Sequence, residues 1–336
     1  MALDFPSSPT IGQQYNGYVW DGTAWDSTSA QPISLSTTAP GYNYLINGGI
    51  EIAQRGASTT GNFATKTYVP DRFWTTTGSG AANLTVSQVA SSLTGISKAM
   101  RVQRTSGNTA TASAYSGQDV ETVNSLPLAG KTVTFSFYAR AGANFSAASS
   151  TLYAYVRSGT GTDQTLASGP YTGNVDIGVP AFVLTTSWQR FTFTGSVPAN
   201  STQVGFMFDF RPVGTAGAND YYEVTGIQLE EGGAATNFKR NAPSIAGELA
   251  ACQRYYQVGA AGFGGYQTIN AAIDCLVMFP VVMRATPSDT WSFTNTSNMR
   301  AGSNRWITAY GVQRAALLNA TGSGVAWDDF KMSAEL

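Results

Sequence analysis

Residues 151–157 carry the side chains best suited to hold a ligand. Their sequence, TLYAYVR, alternates in type, so Tyr153, Tyr155 and Arg157 share one face of a predicted strand and small or aliphatic residues share the other. Aromatic rings match the apolar C–H faces of sugars, and a planar polar side chain beside them can bond to hydroxyl groups. The pattern predicts either a sugar-binding face or the outer face of a sheet that packs against a neighbouring subunit.

Carboxylates are too few to indicate catalysis by their spacing. Hydrolysis of a glycosidic bond needs two carboxylates roughly 5–10 Å apart, and Asp209 with Asp220 or Glu223 could meet across strands. Nothing singles out such a pair, so structural ion pairs or a bound calcium ion explain these acids better. We therefore expect no enzyme, no catalytic residue and no cofactor. The acids considered are Asp163, Asp176, Asp209, Asp220 and Glu223.

Several other chemistries are excluded by residue type. The 336 residues include no histidine and only two cysteines, Cys252 and Cys275. Without histidine the chain lacks the commonest general base, the commonest neutral metal ligand and every histidine-activated nucleophile. Two cysteines so far apart do not form a zinc site, and we expect two buried free thiols rather than a disulfide. No glycine-rich phosphate-binding motif is present.

The charge content is low and balanced. Charged residues make up 12% of the chain and the net charge is −1, which argues against nucleic-acid binding and against attachment to a membrane surface. The N-terminus lacks the basic start and apolar centre of a secretory signal. The most apolar run, residues 275–283, is far shorter than the roughly 20 residues that span a bilayer. We expect a protein without membrane insertion whose polar surface faces sister subunits or uncharged ligands.

The hydrophobic pattern predicts an all-β protein in three parts. Residues 1–40 form an extended leader with one hairpin at Asp21-Gly22. Its Trp20 and Trp25 are expected to anchor it, either on another protein or on the main domain. Residues 41–242 show repeated two-residue alternation, as in residues 131–138 and 203–210, and predict a β-sandwich of the jelly-roll type.

Residues 243–336 predict one linking helix and a small β region. The helix over 244–257 is capped by Ser244 and places Ile245, Leu249, Cys252 and Tyr256 at helical spacing. Strand-like runs follow, with Pro280 expected at an edge or a bulge. The region has much apolar surface for its size, so we expect Val277, Phe279 and Trp306 to lie at a subunit contact.

Three sets of short motifs resemble segments of phage structural proteins. The first resembles an N-terminal element of tail and fibre proteins. The second and third are similar to the opening and closing segments of a jelly-roll domain in tail fibres and other virion proteins. In order, the sets are residues 5–13 (FPSSPTIGQ) with 20–25 (WDGTAW); residues 45–56 (LINGGIEIAQRG) with 68–74 (YVPDRFW); and residues 226–232 (GIQLEEG), 238–240 (FKR) and 248–256 (ELAACQRYY).

The resemblance implies an external virion protein of a bacteriophage. It implies a homotrimer, as in fibres, and does not distinguish tail from head. Our first hypothesis is a tail-fibre-type subunit that is attached to other virion proteins through its N-terminal segment and trimerises through its C-terminal region, with a carbohydrate-binding-module-like jelly roll that contacts host surface polysaccharide. A capsid or neck decoration protein with no ligand of its own is the alternative. Within the second set, Asp71 and Arg72 are expected to form either a buried ion pair or a surface pair of little energetic weight.

Overall fold

The structure is a computed structural model that describes residues 5–11, 13–15, 18–20, 22–27, 41–78 and 83–336. The chain divides into two compact units, Met1–Ala39 and Pro40–Leu336, each described here by itself. The protein is all-β, as predicted: antiparallel sheets make up both units, and the described helices are short. No described helix has the length and apolar character needed to cross a membrane.

The first unit is a small three-stranded antiparallel sheet formed by β1 (Gln14–Tyr15), β2 (Tyr18–Trp20) and β3 (Trp25–Ser27). The predicted hairpin is confirmed, because Trp20 pairs with Trp25 across β2 and β3. Their ring centroids lie 5.7 Å apart, and Phe5 stacks on Trp25 at 5.2 Å. Asp21 of the predicted turn lies outside the described residues, as do residues 28–40.

The second unit begins with a β-sandwich of thirteen strands. Neighbouring strands are antiparallel in every described pairing, which suits connection by short turns. The strands are β4 (Ser58–Gly61), β5 (Thr67–Tyr68), β6 (Trp74–Thr77), β7 (Leu84–Leu93), β8 (Ile96–Arg104), β9 (Ala114–Asp119), β10 (Thr132–Ala141), β11 (Thr151–Gly159), β12 (Val175–Gly178), β13 (Ala181–Val183), β14 (Gln189–Ser196), β15 (Gln203–Phe210) and β16 (Tyr221–Glu231). A single helical turn, α1 (Thr122–Ser125), follows β9.

Two sheets face each other across the sandwich core. The first sheet has the order β14-β10-β16-β8-β7-β4, and the second sheet has the order β12-β11-β15-β9-β6-β5 with β13 also on β11. The predicted alternation of β10 and β15 is confirmed by the aromatic contacts between them. Phe135 lies 4.8 Å from Phe206 and Phe137 lies 4.8 Å from Phe208, measured between ring centroids. Such interlocked rings stabilise a core beyond the burial of their area alone.

A short helix, α2 (Ile245–Gln253), links the sandwich to the C-terminal region. Ser244 caps it by accepting a hydrogen bond of 3.1 Å from the Gly247 amide, as predicted. The helix ends earlier than predicted, since Tyr256 already belongs to the next strand, and Ile245 is 49% exposed rather than buried. Both cysteines are free thiols, but only Cys252 is buried as predicted, whereas Cys275 is half-buried.

The C-terminal region contains two three-stranded antiparallel sheets with a core of their own. The third sheet has the order β17-β22-β19 and the fourth has the order β18-β21-β20. Phe263, Phe279, Met299 and Phe330 are buried between them, so much of the apolar load is covered within one chain. The strands are β17 (Tyr256–Gln267), β18 (Ala272–Met278), β19 (Ser288–Ser297), β20 (Met299–Thr308), β21 (Gly311–Leu318) and β22 (Gly322–Ser333).

Motifs far apart in the sequence meet where the sandwich joins the C-terminal region. Asn47 Nδ2 donates to the Asp71 carbonyl at 3.0 Å, and Gln54 Nε2 donates to the Tyr256 carbonyl at 2.9 Å. The Glu248 carboxylate accepts from the Asn47 amide. The closing segments join the same place through two further bonds: Ile227 N to Gly48 O at 2.9 Å, and Arg240 Nη2 to Glu51 Oε1 at 2.7 Å.

The predicted Asp71–Arg72 pair is wrong, because the two side chains have different partners. Asp71 accepts from the Gln54 amide and lies 3.5 Å from Arg55, whereas Arg72 forms an ion pair with Glu335. The Arg72 guanidinium also lies 3.5 Å from the ring centroid of Tyr255. Both Asp71 and Arg72 are buried, so their role at this junction is structural.

Candidate ligand-binding cleft

A cleft of about 570 Å³ lies over the outer face of the second sheet. The strand register builds its floor: Tyr153 lies opposite Asp209, which lies opposite Tyr115, and Tyr155 lies opposite Met207. Because side chains alternate along each strand, these residues all project from the face away from the sandwich core. The lining residues are Ala64, Thr76, Thr77, Tyr115, Tyr155, Arg157, Leu166, Ala167, Gly169, Pro170, Met207, Asp209 and Arg211.

The outward direction of Tyr153, Tyr155 and Arg157 agrees with the sequence prediction. Leu152, Ala154 and Val156, which alternate with them, are fully buried in the sandwich core. Tyr155 and Arg157 line the cleft directly, and the Arg157 guanidinium lies 4.5 Å from the Tyr155 ring centroid. Tyr153 lies beside the cleft and supports it through contact with Arg211.

Arg211 organises the floor of the cleft. Its Nε donates to Asp209 Oδ2 at 2.7 Å and its Nη2 donates to the Tyr155 hydroxyl at 2.6 Å. Its guanidinium carbon also lies 4.1 Å from the Tyr153 ring centroid. The hydrogen bond with Asp209 raises the pKa of Arg211 above its ordinary value. Arg211 was not singled out from the sequence, although its two-residue spacing from Asp209 places it on the same face.

One buried oxygen in the cleft floor has no hydrogen-bond donor among the described residues. Asp209 Oδ2 accepts from Arg211, but Asp209 Oδ1 has no partner and is inaccessible to solvent. A buried acceptor left unpaired costs free energy, and this oxygen is not exposed to a ligand in the cleft. The groups that the cleft floor presents are therefore aromatic faces and guanidinium donors.

A loop held by Asp119 forms one wall of the cleft. The Asp119 carboxylate accepts hydrogen bonds from the Trp74 indole at 2.8 Å, the Thr165 hydroxyl at 2.7 Å and the Leu166 amide at 3.0 Å. The Tyr171 hydroxyl donates a fourth at 2.5 Å. Burial raises the pKa of Asp119, while these donors act in the opposite direction. The loop residues that line the cleft are Leu166, Ala167, Gly169 and Pro170, which lie between the attached residues Thr165 and Tyr171.

The acidic residues considered for hydrolysis are engaged in ion pairs. The prediction that Asp209 could meet Asp220 or Glu223 is wrong, because Asp209 lies on the second sheet while Glu223 lies on the first. Glu223 is fully buried between Arg101 and Arg140. The other pairs are Asp163 with Arg284, Asp176 with Arg157, Asp209 with Arg211 and Asp220 with Arg104.

Asp220 illustrates how cationic side chains satisfy these acids. Arg104, which is fully buried, donates to Asp220 Oδ2 at 2.9 Å. The same guanidinium donates to the carbonyls of Asn108, Ala110 and Gly214 at 3.0, 2.7 and 3.1 Å. Carbonyl and carboxylate oxygens are ligands that calcium also takes, and here they surround a guanidinium. Within the described residues no group of three or more acidic, cysteine or histidine side chains could hold a metal ion.

The three residues that were predicted to lie at a subunit contact do not share one face of the structure. Phe279 is buried in the core between the third and fourth sheets, and Val277 packs against the same core, so neither forms a surface. Trp306 is 40% exposed on the outer face of the fourth sheet. Two further apolar residues are exposed on this face, Leu276 at 61% and Met278 at 60%, and the sequence analysis did not predict either. In the strand register, Leu276 and Trp306 lie on opposite sides of Gln313.

No family model and no curated protein matches this sequence. Among solved structures, a CBM4 domain is similar with 15% identity and a TM-score of 0.34, over 55% of this chain and 98% of that one. The CBM22-1 xylan-binding domain of Paenibacillus barcinonensis Xyn10C has 12% identity and a TM-score of 0.33, over 59% and 99%. The enzymatically active domain of bacteriophage CBA120 tailspike protein 4 has 12% identity and a TM-score of 0.33, over 58% and 22%.

Proposed function

We propose that this chain is a non-catalytic structural and adhesive subunit of a phage particle, of the tail-fibre type, and that its cleft binds glycans on the host surface. The observation that carries the glycan proposal is the arrangement of Arg211, Asp209 and Tyr155 in the cleft floor. Each of these side chains is held by another one, so the polar groups are oriented before a ligand arrives.

The cleft chemistry suits a polysaccharide of low charge. Tyr155 and Tyr115 supply aromatic surface for the C–H faces of sugar rings, and the guanidinium groups of Arg157 and Arg211 supply donors for hydroxyl oxygens. Both cleft arginines are paired with carboxylates, Arg157 with Asp176 and Arg211 with Asp209. The cleft therefore has little net charge with which to select a strongly acidic ligand.

The proposed assembly is a homotrimer that associates through the outer face of the fourth sheet. Leu276, Met278 and Trp306 form an exposed apolar surface there, which is the composition of a subunit interface rather than of a free surface. Several identical clefts on one particle would convert weak single-site binding into firm attachment. The proposed interface therefore contains Leu276 and Met278 in place of Val277 and Phe279, which the sequence had predicted there, and it keeps Trp306.

The proposed attachment to the particle is through the first unit. The N-terminal motifs that resemble tail and fibre proteins fall in this unit, and Trp20 and Trp25 are half-buried against each other and Phe5. Deletion of residues 1–40 from the chain in a phage genome should abolish incorporation into particles. Particles that retain the shortened chain would contradict this part of the proposal.

The test of the cleft compares the wild type with Tyr155→Ala and with Tyr138→Ala, an aromatic residue on the first sheet. Binding of each purified protein to host cells and to polysaccharide isolated from their surface is measured. We expect Tyr155→Ala to lower binding at least tenfold and Tyr138→Ala to leave it unchanged. Failure of the wild type to bind cells at high concentration would instead support a capsid or neck decoration protein with no ligand.

The proposal that the protein is not an enzyme has a separate test. The purified full chain is incubated with the same surface polysaccharide, and newly formed reducing ends and polymer size are measured over time. We expect no change in either quantity, because the cleft carboxylate Asp209 is paired with Arg211, and Asp176 is paired with the cleft residue Arg157. A time-dependent release of reducing ends that Asp209→Asn abolishes would overturn it.

A further inference from the structure

The outer face of the third sheet exposes a tryptophan that no part of the proposed function uses. Trp327 lies in β22 and is 53% exposed, while its neighbours Ala326 and Asp328 are fully buried. This alternation places the indole on the face of the sheet that is turned away from the C-terminal core. A large aromatic side chain on an open sheet face is unusual because its burial would otherwise stabilise the fold.

Glycine holds the indole flat against the neighbouring strand. Trp327 lies directly opposite Gly262 of β17. A β-carbon at position 262 would lie 2.7 Å from Trp327 Cζ3 and 3.2 Å from Cε3, so the six-membered ring covers the glycine backbone. A side chain at Gly262 would displace the ring. The strand thus supplies a support on which one face of the indole rests while the other stays accessible.

Polar side chains continue the same face beyond the ring. Asp329 and Lys331 follow Trp327 at two-residue intervals, which corresponds to steps of about 7 Å along the strand. Ser292 lies opposite Asp329, and Thr290 lies opposite Lys331. These four residues line a shallow depression of about 400 Å³ together with Val258, Gly259, Trp291 and Phe330.

The two outer faces of the C-terminal region differ in what surrounds their tryptophan. On the fourth sheet, Trp306 lies near the exposed apolar residues Leu276 and Met278, and the same sheet carries the exposed Asp274–Arg305 ion pair. On the third sheet, the face of Trp327 also exposes Val258, Val325 and Tyr266, and in one direction from the ring it presents Asp329, Lys331 and hydroxyl groups. A single ring next to donors and acceptors of no net charge fits a sugar, whose apolar face stacks while its hydroxyls bond.

We infer that the outer face of the third sheet is a second carbohydrate-binding site, separate from the cleft, that takes a neutral glycan. Trp327 stacks on one sugar ring, and Ser292, Asp329 and Lys331 bond to the hydroxyls of the next. The site is open along the strand direction, so it accepts internal segments of a long polymer. This inference does not depend on the cleft, because the two sites share no residue.

The test is affinity gel electrophoresis of the full chain in gels that contain xylan, mixed-linkage β-glucan, galactomannan or dextran. Trp327→Ala is compared with Tyr138→Ala, which removes an aromatic residue from the first sheet of the sandwich, and with Tyr155→Ala in the cleft. We expect Trp327→Ala to weaken binding at least tenfold with at least one polymer that retards the wild type. Tyr138→Ala should leave that binding unchanged, and the melting temperature of Trp327→Ala should match the wild type.

Three results would overturn the inference: no polymer retards the wild type, Trp327→Ala binds as the wild type does, or Trp327→Ala changes the oligomeric mass. The last result would assign the face to subunit contact. Loss of binding in Tyr155→Ala alone would support the cleft and reject this second site. Loss in Trp327→Ala alone would support the second site and reject the cleft.

Discussion

Arg211 and Tyr155 are joined by a hydrogen bond of 2.6 Å across the floor of the cleft, between the end of one strand and the middle of the next. The same guanidinium bonds to Asp209 and covers the ring of Tyr153. A planar side chain with several donors can make these contacts at once, whereas a lysine ammonium group cannot. The relationship makes Arg211 the residue on which the shape of the cleft floor depends.

Arg211→Lys should therefore weaken glycan binding while the protein stays folded. Lysine keeps the charge but cannot bond to Asp209 and Tyr155 in the same plane, so both groups lose their fixed orientation. We expect about a tenfold loss of affinity, which corresponds to about 1.4 kcal/mol, by titration calorimetry with the polysaccharide that the wild type binds. Unchanged affinity in Arg211→Lys would show that charge alone matters at this position.

Asp119→Ala should release the wall of the cleft. The substitution removes the acceptor of three hydrogen bonds that hold the loop to the sheet, from Thr165, Leu166 and Tyr171, and of a fourth from Trp74 within the sheet. We expect hydrogen exchange at the Leu166 amide to become at least tenfold faster, and glycan affinity to fall, while strands of the first sheet keep their protection. Unaltered exchange at Leu166 would mean that the loop is held by other contacts.

Arg104→Met should be among the most destabilising substitutions in the sandwich. It leaves the buried Asp220 carboxylate without its charged partner and frees three carbonyl groups. We expect the free energy of unfolding, measured by urea denaturation, to fall by about 3–5 kcal/mol. The double variant with Asp220→Leu should recover part of that loss. A double variant less stable than Arg104→Met would contradict the role of the unpaired charge.

Glu248→Gln should change how stability depends on pH. Burial raises the pKa of Glu248 above its ordinary value of 4.5, while hydrogen bonds from the Ala242 and Asn47 amides act in the opposite direction. An acid with a raised pKa in the folded state stabilises the fold most below its unfolded pKa, and this contribution is lost as the pH rises through the folded pKa. Glutamine does not titrate.

The free energies of unfolding of the wild type and Glu248→Gln should therefore be compared at several pH values between 4.5 and 7. We expect the advantage of the wild type over the variant to shrink as the pH rises across this interval. At every pH the variant should also lack one acceptor for a backbone amide, a cost of about 1–3 kcal/mol. An advantage that is constant or grows with pH would contradict the raised pKa.

The two-residue periodicity predicted which side chains face the cleft, but not which side chains from other strands lie beside them. Two-residue alternation is a property of each strand, so the outward faces of Tyr153, Tyr155 and Arg157 could be predicted before any pairing was known. Which acidic residues lie close to one another could not be predicted, because this depends on the order of the strands in the two sheets. Asp209 and Glu223 lie in opposite sheets of the sandwich, which no spacing in the sequence reveals.

Long-range contacts explain the remaining differences. Arg72 pairs with Glu335, 263 positions away, so inspection of its neighbour Asp71 pointed to the wrong partner. Trp327 was not singled out because exposure of one face of an aromatic residue depends on Gly262 in another strand. Val277 and Phe279 were predicted at a subunit contact, but they pack against a core within the same chain, which depends on contacts between distant strands.

The return of the chain to the sandwich through Ala334, Glu335 and Leu336 has a mechanical consequence. Arg55 and Arg72 of the sandwich form ion pairs with Glu335, and Arg284 of the C-terminal region pairs with Asp163 of the sandwich at 2.9 Å, while α2 makes the other crossing between the same two bodies. Two crossings resist torsion between the bodies in a way that one flexible linker does not. A pull or twist applied to the distal sheets would thus be carried into the sandwich as a whole, without a swivel between them.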